Sequence, residues 1–305
     1  ECRVRRTSPP LTVGMPVYNG ENYVAEAIES VLAQTYSDFD LIISDNASTD
    51  ATEEICRSYA AGDHRIVFRR LTENVGAAAN FNRVFQMAKS PFFKFAAHDD
   101  LCMPRFFEVC MNAFTDASPE VALCFPGTIR IDSTGHRQGL LEERLDLRDP
   151  EPHRRFRAYL SGYNLSNPYY GVLRSSAYGA TRMLQPFVAA DMVLIGELAL
   201  QGQLWQLSEP LFLRRFHSKM SAEAAKTLGD LTRYYDTGHS GQTVLYRSKL
   251  LHEFFRAIAF APLSPYQRMR CRQALLTSWL PRRSFAITRE LTRQAYVSLS
   301  RSIRT

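Results

Sequence analysis

Between Leu11 and Thr115, apolar runs of strand length alternate four times with stretches of helical period, and few folds accept such a chain. The strand-like runs are Leu11–Val17, Phe39–Ser44, Arg65–Arg70 and Phe92–Ala97. Between and after them, apolar residues recur at helical spacing over Tyr23–Leu32, from Ser48 or Thr49 as caps to about Ala60, over Ala77–Lys89, and from about Pro104 to Thr115. Strands separated by helices imply right-handed crossovers and a mainly parallel, doubly wound α/β sheet. Every loop that follows a strand then opens on one edge, where open α/β sheets bind their ligands.

The alternation fades beyond the next strand candidate, Val121–Ile131. Residues 132–153 are polar and read as a hairpin tip or loop, and Arg154–Ser161 reads as a helix. Asp191–Leu200 has the pattern of an amphipathic helix opened by an acid, and Leu204–Phe216 supplies one or two further strands. Past Met220 every pattern is helical, so the expected division is a catalytic unit over 1–220 and a basic helical extension over 221–305. Within the first unit, about 9–120 forms one half and about 121–220 the other.

The 305 residues, 45% hydrophobic and 22% charged, suit a globular chain with a large core. No run approaches the roughly 18 apolar residues of a membrane span. Six scattered cysteines without a C-x-x-C pair, and an N-terminal stretch without an apolar signal run, favour a reducing, cytoplasmic setting. The net charge of +6 is uneven: from Arg268 to Thr305 nine arginines face one acid, Glu290. No nucleic-acid motif accompanies them, so a nucleic-acid partner is not expected. Trp279, Leu280, Phe285, Ile287, Leu291, Tyr296 and Leu299 interleave with these arginines, as in helices that rest on an anionic membrane face or on an acidic face of the protein itself.

The chemistry concentrates at the strand ends. The first strand runs into Tyr18-Asn19-Gly20-Glu21, the second into Asp45-Asn46-Ala47-Ser48-Thr49-Asp50, and the fourth into His98-Asp99-Asp100. Asn74, Gly76 and Asn80 flank the start of the third helix. A dinucleotide fold needs G-x-G-x-x-G after its first strand, and this loop offers one glycine. No Walker A loop is present either. A bound diphosphate would therefore have to be neutralised by a cation, which paired carboxylates at a strand end can hold.

Pro16-x-Tyr18-Asn19, Asp45-Asn46-x-Ser48-Thr49-Asp50, Asn74-x-Gly76 and the Asp99-Asp100 pair, in that order, closely resemble family 2 glycosyltransferases of the GT-A fold. The resemblance covers residues 11 to about 217. It implies an inverting enzyme that moves a sugar from a nucleotide-diphospho-sugar, UDP- or dTDP-type favoured, to a hydroxyl of a glycan, lipid-linked or small-molecule acceptor in polysaccharide or glycoconjugate synthesis. Carried over by position, Pro16, Tyr18, Glu21, Asp45, Asn74, Gly76, Asn80, Asp99 and Arg215 would bind the donor. Asp99 and Asp100, helped by His217, would hold Mn²⁺ or Mg²⁺. Asp191 would be the general base, with Glu197 in reserve, and Tyr169, Tyr170, Gly171 and Arg174 would line the acceptor side. Arg214 shares with Arg215 the role of diphosphate partner. Two positions depart from the family pattern, Ala97 and Ala190, each where an acid is common. The alternatives are a sugar-1-phosphate nucleotidyltransferase, which would need a Gly-rich basic first loop, and a non-catalytic nucleotide- or sugar-binding scaffold.

Overall fold

The computed structural model describes residues 9–115, 117–162, 166–218, 227–238 and 245–292. The four expected strands form as β1 (Leu11–Val17), β2 (Phe39–Asp45), β3 (Ile66–Arg70) and β4 (Phe92–Phe95). They are linked by α1 (Val24–Leu32), α2 (Thr52–Gly62) and α3 (Ala77–Met87). They pair in parallel in the order β3-β2-β1-β4, with Val17 opposite Asp45, so both strands end at one level. That register puts the three loops after β1, β2 and β4 on one edge.

After β4 the sheet becomes mixed. A two-residue strand β5 (Leu101–Cys102) precedes α4 (Phe106–Thr115), followed by β6 (Val121–Ile131), its hairpin partner β7 (Arg137–Leu141) and α5 (Pro152–Gly162). A 3₁₀ turn, Asn167–Tyr170, leads to β8 (Val172–Arg174), α6 (Ser175–Gly179), α7 (Ala190–Gln201) and the long β9 (Gln203–Arg215). Strand β8 is antiparallel to β4 and β6, β6 runs parallel to β9, and β9 pairs antiparallel with β5. Pairing with β5 brings the end of β9 beside the Asp99-Asp100 turn.

Alternate residues feed two apolar clusters, one on each face. Ile42, Phe93, Phe95, Leu123 and Leu173 point into one, and Leu41, Ile43, Val13, Val121 and Val172 into the other. The first also takes Leu250, Phe254 and Ile258 of α9 (Tyr246–Phe260) and Cys271 and Ala274 of α10 (Pro265–Ala274). These helices pack on α5 and α7. The expected division at residue 220 falls within 219–226, outside the described residues, as do Tyr296 and Leu299. A short α8 (Leu228–Tyr235), opened by a Thr227 capping box, lies between. Among the described residues no helix is long and apolar enough to cross a membrane.

Helix α7 is not the amphipathic helix its pattern suggested. Residues 193–200 are all buried, because α5 covers one side and α9 another. Nor do Ser48 or Thr49 cap α2, since Ala51 takes that position without a side-chain bond.

Candidate active site

The loops after β1 and β2 are stitched together before any ligand arrives. The Asn19 amide donates to Ser48 Oγ (2.9 Å), the Thr49 amide to Asn19 Oδ1 (2.9 Å) and the Gly20 amide to Thr52 Oγ1 (2.8 Å). Glu21 accepts from the Ala51 amide (3.1 Å), and its own amide donates to Asp50 (3.2 Å). Gly20 has to be glycine, because a Cβ there would stand 2.7 Å from the His98 ring. These bonds shape one wall of a cleft of about 740 Å³ at the carboxyl ends of β1, β2 and β4. That is within the size range of small-molecule sites.

At one end of the cleft lies an asparagine clamp. Asn46 Nδ2 donates to Asn74 Oδ1 (2.9 Å), which also accepts from the Gly76 amide (2.9 Å), while Asn46 Oδ1 takes the Val75 amide (3.0 Å). Asn74 thus closes its own turn and does not cap α3. Asn80 donates to Ser44 O (2.9 Å), and its buried Oδ1 has no protein partner. An unpaired buried acceptor is costly unless something donates to it.

At the other end sits the acidic turn. Asp99 Oδ2 and His217 Nε2 are 3.1 Å apart. Burial would raise the Asp99 carboxyl, but His98 and His217 outweigh it and hold it below the usual range. Burial and the adjacent Asp99 push Asp100 up to about 7, against the pull of Arg214, the Arg215 amide and Lys94. Two like charges side by side separate in this way because only one ionises readily.

Pro16, Tyr18, Glu21, Asn74, Asn80, Asp99, Asp100, Arg215 and His217 therefore meet in one cleft, joined by Asn46, His98, Tyr170 and Arg214. Other expected residues stand elsewhere or do other work. Asp45 is wholly buried beneath the cleft, accepting from the amide and hydroxyl of Ser48 and lying 3.2 Å from Arg70 Nε. Gly76 has φ +84, a conformation glycine adopts freely, and supports the turn through its backbone. Asp191, in the first turn of α7 after left-handed Ala189, does not line the cleft. With burial as the larger cause, its charge helps to raise the Tyr246 hydroxyl, which marks the two as neighbours.

Arg215 is not a free diphosphate partner. Its guanidinium donates to Asp99 O (2.9 Å), Ser133 O (3.2 Å) and Glu26 (2.6 Å) and lies over the Tyr23 ring, while its amide binds Asp100 Oδ1 (2.8 Å). It braces the acidic turn. Arg214, which faces the cleft and is held by Asn167, is the better placed cation. Tyr169 stacks on Phe95 (4.6 Å) in the core, Gly171 packs against Cys124 O, and Arg174 donates to Val121 O. Of that acceptor-side set, Tyr170 alone lines the cleft.

Glu197 is no reserve base either. It is buried and ion-paired with Arg182 (2.6 Å), which also pairs with buried Glu253 of α9 (2.6 Å). Arg182→Met leaves buried Glu197 without its cation, while Glu253 keeps Lys249 (3.0 Å) and Arg256 (3.3 Å), so we expect a loss of about 3–5 kcal/mol of stability, read from urea denaturation.

Two features were missed in the sequence. Lys94, on β4, is wholly buried, donates from Nζ to Phe95 O (2.9 Å) and lies 4.6 Å from the Phe106 ring centroid, supplying a cation beneath the acidic turn. A lone lysine within an apolar run was the available signal. Helix α8 brings Asp230, Arg233 and Tyr234 to the cleft from beyond residue 220, and Thr237 Oγ1 reaches Asn74 O (3.3 Å). No local pattern announces that contact.

An α/β sheet whose strand ends converge on a polar cleft with an acidic turn defines a GT-A type fold, and the comparisons agree. S. aureus TarS in complex with UDP-GlcNAc superposes with a TM-score of 0.63 at 14% identity, over 87% of this chain and 71% of that one. The mannosyltransferase PcManGT from Pyrobaculum calidifontis, in complex with GDP-Man and Mn²⁺, gives 0.53 at 16% identity, over 96% and 81%. At these identities the likeness establishes the fold. The family model for glycosyl transferase family 2 matches residues 12–177, and the chain belongs to that family. An uncharacterised glycosyltransferase of Rickettsia typhi is 34% identical over 147 residues, 46% of this chain and 45% of that protein. Glycosyltransferase GlyA of Streptococcus pneumoniae is 30% identical over 113 residues, 37% and 16% respectively. The chain thus spans less than half the length of these curated relatives.

Proposed function

We propose that the chain is an inverting, divalent-metal-dependent glycosyltransferase that takes a nucleotide-diphospho-sugar, with UDP or dTDP as carrier, and glycosylates a hydroxyl in polysaccharide or glycoconjugate synthesis. The observation that carries this reading is the approach of Asp99 Oδ2 to His217 Nε2 at 3.1 Å, at the opposite end of the cleft from the asparagine clamp. Adjacent donor atoms around an octahedral ion with bonds of about 2.1 Å are separated by about 3 Å. Asp99 and His217 thus have the spacing of neighbouring ligands, and Asp100, one oxygen of which is taken by the Arg215 amide, adds charge beside them. A mixed oxygen and nitrogen set suits Mn²⁺ better than Mg²⁺. Among the described residues no three His, Cys, Asp or Glu side chains are gathered at one point.

When bound, the ion would neutralise charge developing on the departing diphosphate. The chain's own residues do the rest. Asn80 Oδ1, the unpaired acceptor, takes a donor hydrogen of the nucleoside. Arg214, facing the cleft, forks onto phosphate oxygens. Asp191 takes the proton of the attacking hydroxyl, the general-base step of a single displacement with inversion. Asp191 does not line the donor cleft, so this role requires the acceptor hydroxyl to span from the first turn of α7 to the sugar. The TarS and PcManGT complexes, with UDP-GlcNAc and with GDP-Man, support a nucleotide-sugar donor.

Thermal melts against UDP-, dTDP- and GDP-sugars, each with Mn²⁺ or with EDTA, test this reading. A uridine or thymidine donor with Mn²⁺ is expected to raise Tm by several degrees and to be hydrolysed slowly. Equal binding in EDTA, with no turnover of any donor, would leave a metal-independent binding module.

A further inference from the structure

The outer face of α10 and of the turns after it is built for a different partner. Its inner face, Cys271, Ala274, Leu275 and Trp279, is buried in the core, with Trp279 5.8 Å from the Phe254 ring. At about 100° per residue, Tyr266, Met269, Gln273 and Leu276 fall together on the opposite side. The three apolar members are 45–59% exposed, and Phe285, in the helical stretch 284–292, is 80% exposed. Arg270 flanks the row on one side and Arg272 on the other.

Charge selects the occupant. Among the described residues 261–292 there are six arginines and one carboxylate, Glu290. Glu290 is already engaged by the Arg247 amide (3.0 Å), the Arg247 guanidinium (3.2 Å) and the Ser248 amide (3.2 Å). The core already holds the opposite face of the helix, so this exposed apolar row edged by long cations can rest in a lipid interface without the helix having to leave the fold. Arginine stems cover apolar surface while their heads reach phosphate, so the flanking positions suit lipid headgroups.

We propose that this face is a peripheral docking surface for an anionic lipid bilayer. The proposal concerns a face outside the donor cleft and does not depend on the donor chemistry. The test is co-sedimentation of the full chain with vesicles of phosphatidylcholine alone or mixed with phosphatidylglycerol, at low and high salt. Binding is expected to the mixed vesicles only, and to be released by salt. The exposed triple variant Met269→Ser/Leu276→Ser/Phe285→Ser should bind on the order of 100-fold more weakly. Arg270→Gln/Arg272→Gln should lose roughly 30-fold. Both should keep the parent's circular dichroism and Tm. Failure to pellet with anionic vesicles, or pelleting unchanged in the triple variant, would overturn the proposal. So would a concentration-dependent dimer that the triple variant dissolves, since a second copy would then be the occupant. Loss of donor hydrolysis with vesicle binding intact would count against the glycosyl-transfer reading alone.

Discussion

Asp99→Asn is expected to lower glycosyl transfer by about 10³-fold while leaving the fold intact. The amide has the same shape and can keep its contact with His217, but it removes the carboxylate that His98 and His217 hold ionised. It also relieves Asp100 of a neighbouring negative charge, which is one cause of that group's rise. Loss of the charge that the histidines stabilise and relief of Asp100 oppose each other, so the variant should melt within a few degrees of the parent, which separates a chemical defect from misfolding. Initial rates of nucleotide release, with Tm measured alongside, provide the check. Activity within tenfold of the parent would mean that the metal is held elsewhere or not used.

Asp191→Asn carries the second large effect, and it should appear in a different kinetic constant. Asp191 lies outside the donor cleft, so KM for the nucleotide-sugar should stay within about twofold, while kcat falls by 10²–10⁴-fold, a range typical of a lost general base. The limb of the pH–rate profile that reports the base should disappear with it. A raised donor KM with kcat unchanged would assign Asp191 to binding.

What could be read in the sequence follows from what local pattern encodes. Strands β1 to β4 were legible because short apolar runs ended at turn residues, and the strand-end residues from Pro16 to Asp100 were legible because a parallel sheet delivers them to one edge. Strand β5 was not, because two residues have no period and Cys102-Met103-Pro104 resembles a helix start. The inward-facing lysine on β4 was hidden in an apolar run. Helix α7 shows why periodicity misleads where a later element covers the outer face, since Glu197 is polar in sequence yet lies in a buried ion network with α9. Arg215 illustrates a deeper limit. Sequence gives a residue's charge, but only the fold decides whether that charge is spent on a ligand or on the backbone of a turn 116 residues earlier.

That separation also sets a clock. The carboxylates of Asp99 and Asp100 leave the ribosome more than a hundred residues before the arginine that braces them. At ordinary synthesis speeds the interval is on the order of ten seconds. For that time both acids are hydrated and mutually repelling, with the strand that will carry their brace still untranslated. Their burial is consequently a late step of biogenesis, and the newborn chain can finish the loops after β1 and β2 well before its acidic turn is set.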